Sequence, residues 1–232
     1  MFIFGYLPQR VVMEFSNRLF KNLVSDPIQQ NYCRNVHGAH ISKAKPTPVS
    51  APKLLAFSKD MAQKLGFTEI DVQSPQFAQV MVGNETYEGM ETYAHCYGGH
   101  QFGNWAGQLG DGRAITLGEM KHEGKFWEVQ LKGAGPTPYS RRGDGRAVLR
   151  SSLREYLCSE AMAGLGIPTT RALAILSTGD TVIRDMMYDG NEEAEIGAIV
   201  SRVAESFLRF GSFEILYSRS DTENLQKLLD FT

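Results

Sequence analysis

Residues 126–164, FWEVQLKGAGPTPYSRRGDGRAVLRSSLREYLCSEAMAG, pass through three textures in succession. Phe126 to Lys132 alternates at period two. Phe126, Glu128, Gln130 and Lys132 share one face, while Trp127, Val129 and Leu131 share the other, which is the pattern of a half-buried strand. Gly133 to Arg146 is a Gly/Pro-rich loop. Ala147 to Ala163 then takes helical spacing, stopped by Gly164 and by Gly166-Ile167-Pro168. On the helical wheel Leu149, Leu153, Tyr156 and Leu157 form the stripe expected to face the core. Arg146, Arg150 and Arg154 follow one flank, Glu155 lies on the opposite flank, and Glu160 falls within the stripe.

Working outward, Ala114 to Leu117 alternates weakly and Lys121 to Lys125 is a polar turn around Gly124, which makes a hairpin with 126–132. Downstream, Ala172 to Ser177, the turn Thr178-Gly179-Asp180 and Thr181 to Asp185 are expected to form a second hairpin. Ala198 to Val203 is a further strand, and helical pattern resumes to the end. Upstream, Phe15, Leu19 and Leu23 are spaced for one helix ending at Asp26-Pro27. PTPVSAP (46–52) is extended because each proline restricts itself and its predecessor. Leu54 to Leu65 is expected to be helical. The order predicts an α+β class: an antiparallel sheet with one inserted helix, as in a protein-kinase amino-terminal lobe.

The 232 residues carry 24 Lys plus Arg against 26 Asp plus Glu, a balance that disfavours a bulk nucleic-acid binder. Charge is concentrated, however. Between Lys132 and Arg154 six cations face only Asp144, so a local anion site is expected. Three cysteines without paired spacing give no disulfide framework and suit a reducing compartment. MFIFGYLPQR at the start has no basic n-region or cleavage signal, and no window reaches the length of a membrane span. A cytoplasmic protein with no membrane association is expected.

Five features bear on chemistry. Gly107, Gly110 and Gly112, with Arg113, open a hairpin; such glycines let backbone N–H groups approach an anion, or simply form a turn. No Gly-Lys-Ser/Thr follows, which excludes a P-loop. Lys132 ends its strand, where a phosphate-holding lysine or an ordinary surface lysine can sit. Glu155 and Glu160 are rival partners for it, and spacing alone does not choose. Asp144 and Gly145 precede the helix and serve either as its entry or as nucleotide contacts. Arg202 and Arg209, seven apart, share a face if both are helical, and either clamp phosphate or pair with acids such as Glu205. His95, Cys96 and His100 match no metal motif.

Three runs, YGGHQFGNWAGQLGDGR (97–113), QLKGAGPTPYSRRGDGRAVLRSSLRE (130–155) and RVAESFLRFG (202–211), with PTPVSAP, closely resemble the selenoprotein O family over roughly residues 46 to 215. The resemblance implies a protein-kinase-like (pseudokinase) fold that binds ATP turned around relative to ordinary kinases. It implies AMP transfer from ATP to Ser, Thr or Tyr hydroxyls of proteins (AMPylation), with UTP used by some members, assisted by magnesium or manganese. Carried onto this sequence, it makes Gly110, Gly112, Arg113, Lys132, Asp144, Gly145, Arg202 and Arg209 nucleotide contacts and Glu155 the ion-pair partner of Lys132. It divides the chain into an amino-terminal extension (1–75), a nucleotide-binding lobe (76–204) and the start of a second lobe (205–232), most of which is missing. The family's catalytic Asp and metal ligands are expected downstream of Thr232. The lack of an opposing lobe predicts exposed apolar side chains at Phe207, Phe210, Phe213, Leu216 and Leu225 to Leu229. The rival readings are a kinase-type phosphotransferase and a non-catalytic nucleotide-binding fragment.

Overall fold

Alternation in 125–132 places Val129 and Leu131 in the main core with Trp127 packed against it, and turns Glu128, Gln130 and Lys132 to the other side of the sheet. The computed structural model describes residues 13–232; the MFIFGYLPQR run, read above for a targeting signal, lies outside the described residues. The strands are β1 (Glu14–Phe15), β2 (Ile41–Lys43), β3 (Lys53–Phe57), β4 (Tyr93–His95), β5 (Gly98–Gln101), β6 (Asn104–Gln108), β7 (Ala114–His122), β8 (Lys125–Lys132), β9 (Arg171–Asp185) and β10 (Glu192–Ala204). The helices are α1 (Arg18–Asn22), α2 (Lys59–Lys64), α3 (Glu69–Val72), α4 (Pro75–Met81), α5 (Leu149–Gly164), α6 (Phe210–Ser218) and α7 (Thr222–Phe231). Every named pair in the main sheet is antiparallel, in the order β2-β4-β7-β8-β10-β9-β3, with β1 on β7. β5 and β6 form a separate hairpin. The molecule is α+β, and three strands from its first 75 residues are bonded into the same sheet as the rest.

Helices cover both faces. On one, Met61, Phe77, Val80 and Met81 of α2 and α4 meet Val129, Leu131, Leu173, Leu176, Ile199 and Val203. On the other, Leu149 and Tyr156 of α5 pack against Ala172, Ile175 and Val200. A third cluster at the β2–β4 edge joins Leu19 and Leu23 to Ile41, Tyr93, Ile215, Leu216 and Leu228.

The structure revises several expectations. Leu54 to Leu65 is not one helix: β3 pairs with β9, and Ser58 caps α2 through the Met61 N–H. A cap residue inside an apolar run ends one element and begins another. The helix expected over Phe15 to Leu23 is only α1, since Phe15 pairs with Met120 as a strand. Thr178-Gly179-Asp180 is not a hairpin turn but an irregularity within continuous β9, with β10 paired on both sides of it. Gly179 has φ +82°, and a Cβ there would lie 2.6 Å from Ala51 Cβ, so the chain bends to admit the 50–51 segment. The α5 stripe is rotated: Ser152 is buried, whereas Leu153 and Leu157 are exposed. The small serine lets the helix approach the sheet, and carboxylates on that side find cations. Finally, Leu216 and Leu228 are buried because α6 and α7 close on α1, β2 and Tyr93, and Phe207 is buried beside Arg202 and Glu128; Phe210 and Leu229 are exposed.

Glu160 fastens the end of α5 to the sheet edge. Its carboxylate accepts from Arg171 Nε (2.8 Å) and Nη2 (2.7 Å), Ser58 Oγ (2.8 Å) and the Ala172 N–H (3.0 Å). Burial alone would raise its pKa, but these donors outweigh it and hold the carboxyl below the usual range. Glu160→Ala is expected to lower unfolding free energy by about 2 kcal/mol in urea titrations. Because the folded-state pKa is depressed, this contribution is full above the unfolded pKa and is lost as pH falls through the folded value. The gap between wild type and Glu160→Ala therefore narrows in acid.

Candidate functional site

Sheet register does most of the assembly. Gln130 lies opposite Thr116 on β7 and opposite Arg202 on β10; two residues on, Lys132 lies opposite Ala114 and Val200. Directly opposed residues bring their side chains together on one face, so Gln130, Lys132 and Arg202 form one cluster. α5 crosses this face and delivers Glu155. Lys132 Nζ lies 2.9 Å from Glu155 Oε2, and Arg202 Nη1 lies 3.0 Å from Glu155 Oε1. Glu160, the rival, is engaged by Arg171 instead. Burial, then the neighbouring Arg202 charge, holds the Lys132 ammonium below the usual lysine range, with Glu155 opposing them.

Arg209 reaches the same place from the segment before α6. It is the residue preceding the helix, while Arg202 is in a strand, so the two do not share a helix face. Their acids are not Glu205 either. Arg209 Nη2 stands 4.0 Å from Asp111 Oδ1, and its guanidinium lies 4.4 Å from the Tyr97 ring centroid. Burial, then the Asp111 charge, pushes the Tyr97 phenol up to about 12, so it is protonated at neutral pH.

The glycines are explained locally. Gly110 has φ +65°, and a Cβ would lie 2.2 Å from Tyr139 Cγ; at Gly145, φ +71°, a Cβ would lie 2.0 Å from the Gly135 carbonyl carbon. Both positions exclude a side chain: at Gly110 loop 133–146 is laid directly on the 109–113 turn, and at Gly145 the loop's own two ends meet, Gly135 N donating to Gly145 O. Thr137 Oγ1 donates to Asp111 O (2.7 Å), Ser140 Oγ donates to Gly112 O, and Gly133 N donates to Arg113 O (2.8 Å). Asp144 does not cap α5, whose preceding residue is Val148. Its carboxylate instead accepts from Arg146 N and forms a bidentate pair with Arg184 at 2.8 and 2.9 Å. Burial works against that carboxylate, yet the Arg184 and Arg146 donors hold its pKa below the usual range.

Between these walls opens a cleft of about 1030 Å³. Gly110, Gly112, Arg113, Lys132, Asp144, Gly145, Arg202 and Arg209 all line it. So do Arg141, Arg142, Arg146 and Arg184, giving eight cationic side chains against the carboxylates of Asp111 and Asp144. A polyanion suits that balance. A divalent cation does not: both carboxylates are already engaged by donors, and among the described residues no group of three or more His, Cys, Asp or Glu is placed to hold a metal. His95 and Cys96 are buried and His100 packs against Trp105. Sequence reasoning passed over Asp111, Tyr97 and Arg184. The first two lie inside a quoted run and drew no attention beside its glycines; Arg184 arrives from a distant strand and carried no local signal.

Comparison with known proteins places these features in a lineage. Residues 29–232 match the family model described as Protein adenylyltransferase SelO. The chain is 62% identical over 219 residues to the protein nucleotidyltransferase YdiU of Azoarcus sp., covering 94% of this chain and 42% of that protein. It is 62% identical over 222 residues to YdiU of Aromatoleum aromaticum (93% and 42%) and 60% identical over 222 residues to that of Methylobacillus flagellatus (95% and 43%). The chain thus spans about two-fifths of the length of these relatives. Among the described residues no helix is long and apolar enough to cross a membrane. A family match reaching from residue 29 to residue 232, with three residues in five shared with named nucleotidyltransferases, makes this chain a member of the SelO family.

Proposed function

We propose that the cleft binds the triphosphate of ATP and that this chain is the nucleotide-holding, kinase-like lobe of a protein adenylyltransferase. The observation that carries the reading is the convergence of Arg113, Lys132, Arg202 and Arg209 on one cleft, with Lys132 held by Glu155. A lysine on a sheet strand paired to a glutamate on the one inserted helix is the arrangement by which kinase-like lobes hold phosphates. In this reading Lys132, Arg202 and Arg209 contact the phosphate chain. Gly110, Gly112 and Arg113 form one wall, and Asp144 and Gly145 the other. Residues 76–204 form the lobe, residues 1–75 its extension, and residues 205–232 begin a second lobe.

The reaction follows from ATP lying with its α-phosphate toward the acceptor. A Ser, Thr or Tyr hydroxyl oxygen bonds to the α-phosphorus, the bond to the β-phosphate oxygen breaks, pyrophosphate leaves and the hydroxyl proton passes to a base. The cations here stabilise charge that develops on the departing pyrophosphate. The base and the ligands for magnesium or manganese belong, in this reading, to the part of the relatives' length that this chain does not cover. UTP is a second candidate donor, since the cations address phosphates and not the base.

Lys132→Ala and Arg202→Ala are each expected to weaken ATP binding by about tenfold, or ~1.4 kcal/mol, measured by calorimetric titration of the 232-residue chain. Affinities equal to wild type would place the phosphates elsewhere.

In a polypeptide that continues this sequence with the remaining length of a relative, α-labelled ATP should label acceptor protein and γ-labelled ATP should not. Transfer of the γ label instead would make the enzyme a kinase. Glu155→Gln in that polypeptide should reduce labelling by at least about tenfold with thermal stability largely kept.

A further inference from the structure

A single neutral side chain separates the two halves of the cation cluster. Gln130 is fully buried, and its amide donates from Nε2 to Asp111 Oδ2 (2.9 Å) and Thr116 Oγ1 (3.3 Å), while its Oε1 accepts from Arg202 Nη2. Asp111, itself 3% exposed, also accepts from the His95 N–H (3.2 Å) and faces Arg209 with its other oxygen. Arg202 continues to Glu155 and thence to Lys132. The result is one unbroken line: Arg209, Asp111, Gln130, Arg202, Glu155, Lys132.

The neighbours dictate the residue type. Toward Asp111 the position must donate, and toward Arg202 it must accept. A carboxamide does both at once without charge. A carboxylate would oppose Asp111, an ammonium would oppose Arg202, and an apolar group would leave both buried partners short of a bond. Because one neighbour is an anion and the other a cation, the amide has only one sensible orientation. Glu128 and Lys132 share its face of β8, but Glu128 turns to Tyr93, His95 and the Phe207 N–H and takes no part in the line.

We propose that Gln130 is a positioning residue for phosphate binding: by bridging Asp111 and Arg202 it fixes the spacing between Arg209 on one side and the Arg202–Lys132 pair on the other. The proposal rests on the reading of the cleft as a triphosphate site. Gln130 itself, at the floor and fully buried, touches no phosphate.

The test uses the 232-residue chain with two variants. Gln130→Met keeps the volume and removes the bonds to Asp111, Thr116 and Arg202; ATP affinity by calorimetry is expected to fall about tenfold with cooperative thermal unfolding retained. Guanidinium NMR of labelled arginine should show slower rotation for Arg202 in wild type than in Gln130→Met, where Glu155 still holds Nη1 but Nη2 has lost its acceptor. Gln130→Glu supplies a signature that lost packing does not. Ionised, it opposes Asp111; protonated, its O–H donates to Asp111 and its carbonyl accepts from Arg202, reproducing the amide. Its ATP affinity should therefore be about tenfold below wild type at pH 8 and within about twofold of it at pH 5.5. Wild type titrated in the same buffers corrects for protonation of ATP and of His95. Unchanged affinity in Gln130→Met, unchanged Arg202 rotation, or no acid recovery in Gln130→Glu overturns the proposal. Failure of wild type to bind ATP overturns the functional reading instead, and the guanidinium measurement then decides the bridge alone. Should Gln130→Met not fold, the acid recovery of Gln130→Glu decides.

Discussion

One carboxylate shared between two cations organises the rest of the site. Glu155 accepts from Lys132 on β8 and from Arg202 on β10, so α5 is tied at once to two adjacent strands. All three side chains are half-buried, with exposures of 15% to 26%. That is dry enough for the charges to fix one another's positions and wet enough for a ligand to reach them. The triad carries one net positive charge, and Arg113 and Arg209 stand in the same cleft. Burial and Arg202 already press on the Lys132 proton. An anion in the cleft would ease that pressure on the Lys132 proton.

The backbone around the triad is shaped to leave that charge accessible. The 109–113 turn and the 133–146 loop stack so closely that Tyr139 fills the space where Gly110 would carry a side chain. Their mutual hydrogen bonds occupy Asp111 O and Gly112 O. The loop is therefore held on the turn by polar groups, and its arginines Arg141, Arg142 and Arg146 line the cleft. Arg184 from β9 closes the far wall through Asp144, which joins a long hairpin to the loop by a bidentate ion pair.

Hydrophobic burial supplies the platform and little of the specificity. α2 and α4 cover one face of the sheet and α5 part of the other. α6 and α7 fold back onto α1, β2 and Tyr93. That last packing takes in Leu208 and so fixes the segment from which Arg209 extends. Glu128, buried beneath it, accepts from the Phe207 N–H and from Tyr93 and His95. A buried carboxylate with three donors sets the entry of the second arginine.

The sequence by itself determined the α+β class, the hairpin of β7 and β8, the loop and the inserted helix. Each of these is written in local periodicity or in glycine and proline punctuation, which act over a few residues. The eight residues it named as nucleotide contacts, through three long runs that carry a family resemblance, all line the cleft. It misassigned the sheet-facing side of α5, since Leu153 and Leu157 outweigh Ser152 on a hydrophobicity wheel while close approach and ion pairing decide the packing. It likewise split β9 at Gly179, because a bulge and a turn use the same residues. Helical spacing left Glu155 and Glu160 as rivals; the resemblance pointed to Glu155, and the structure pairs it with Lys132. Only the tertiary structure joined Asp144 to Arg184 and placed Gln130 between Asp111 and Arg202. These are contacts between strands and helices far apart in the chain. Register and burial fix them, and no local pattern records which charge will meet which.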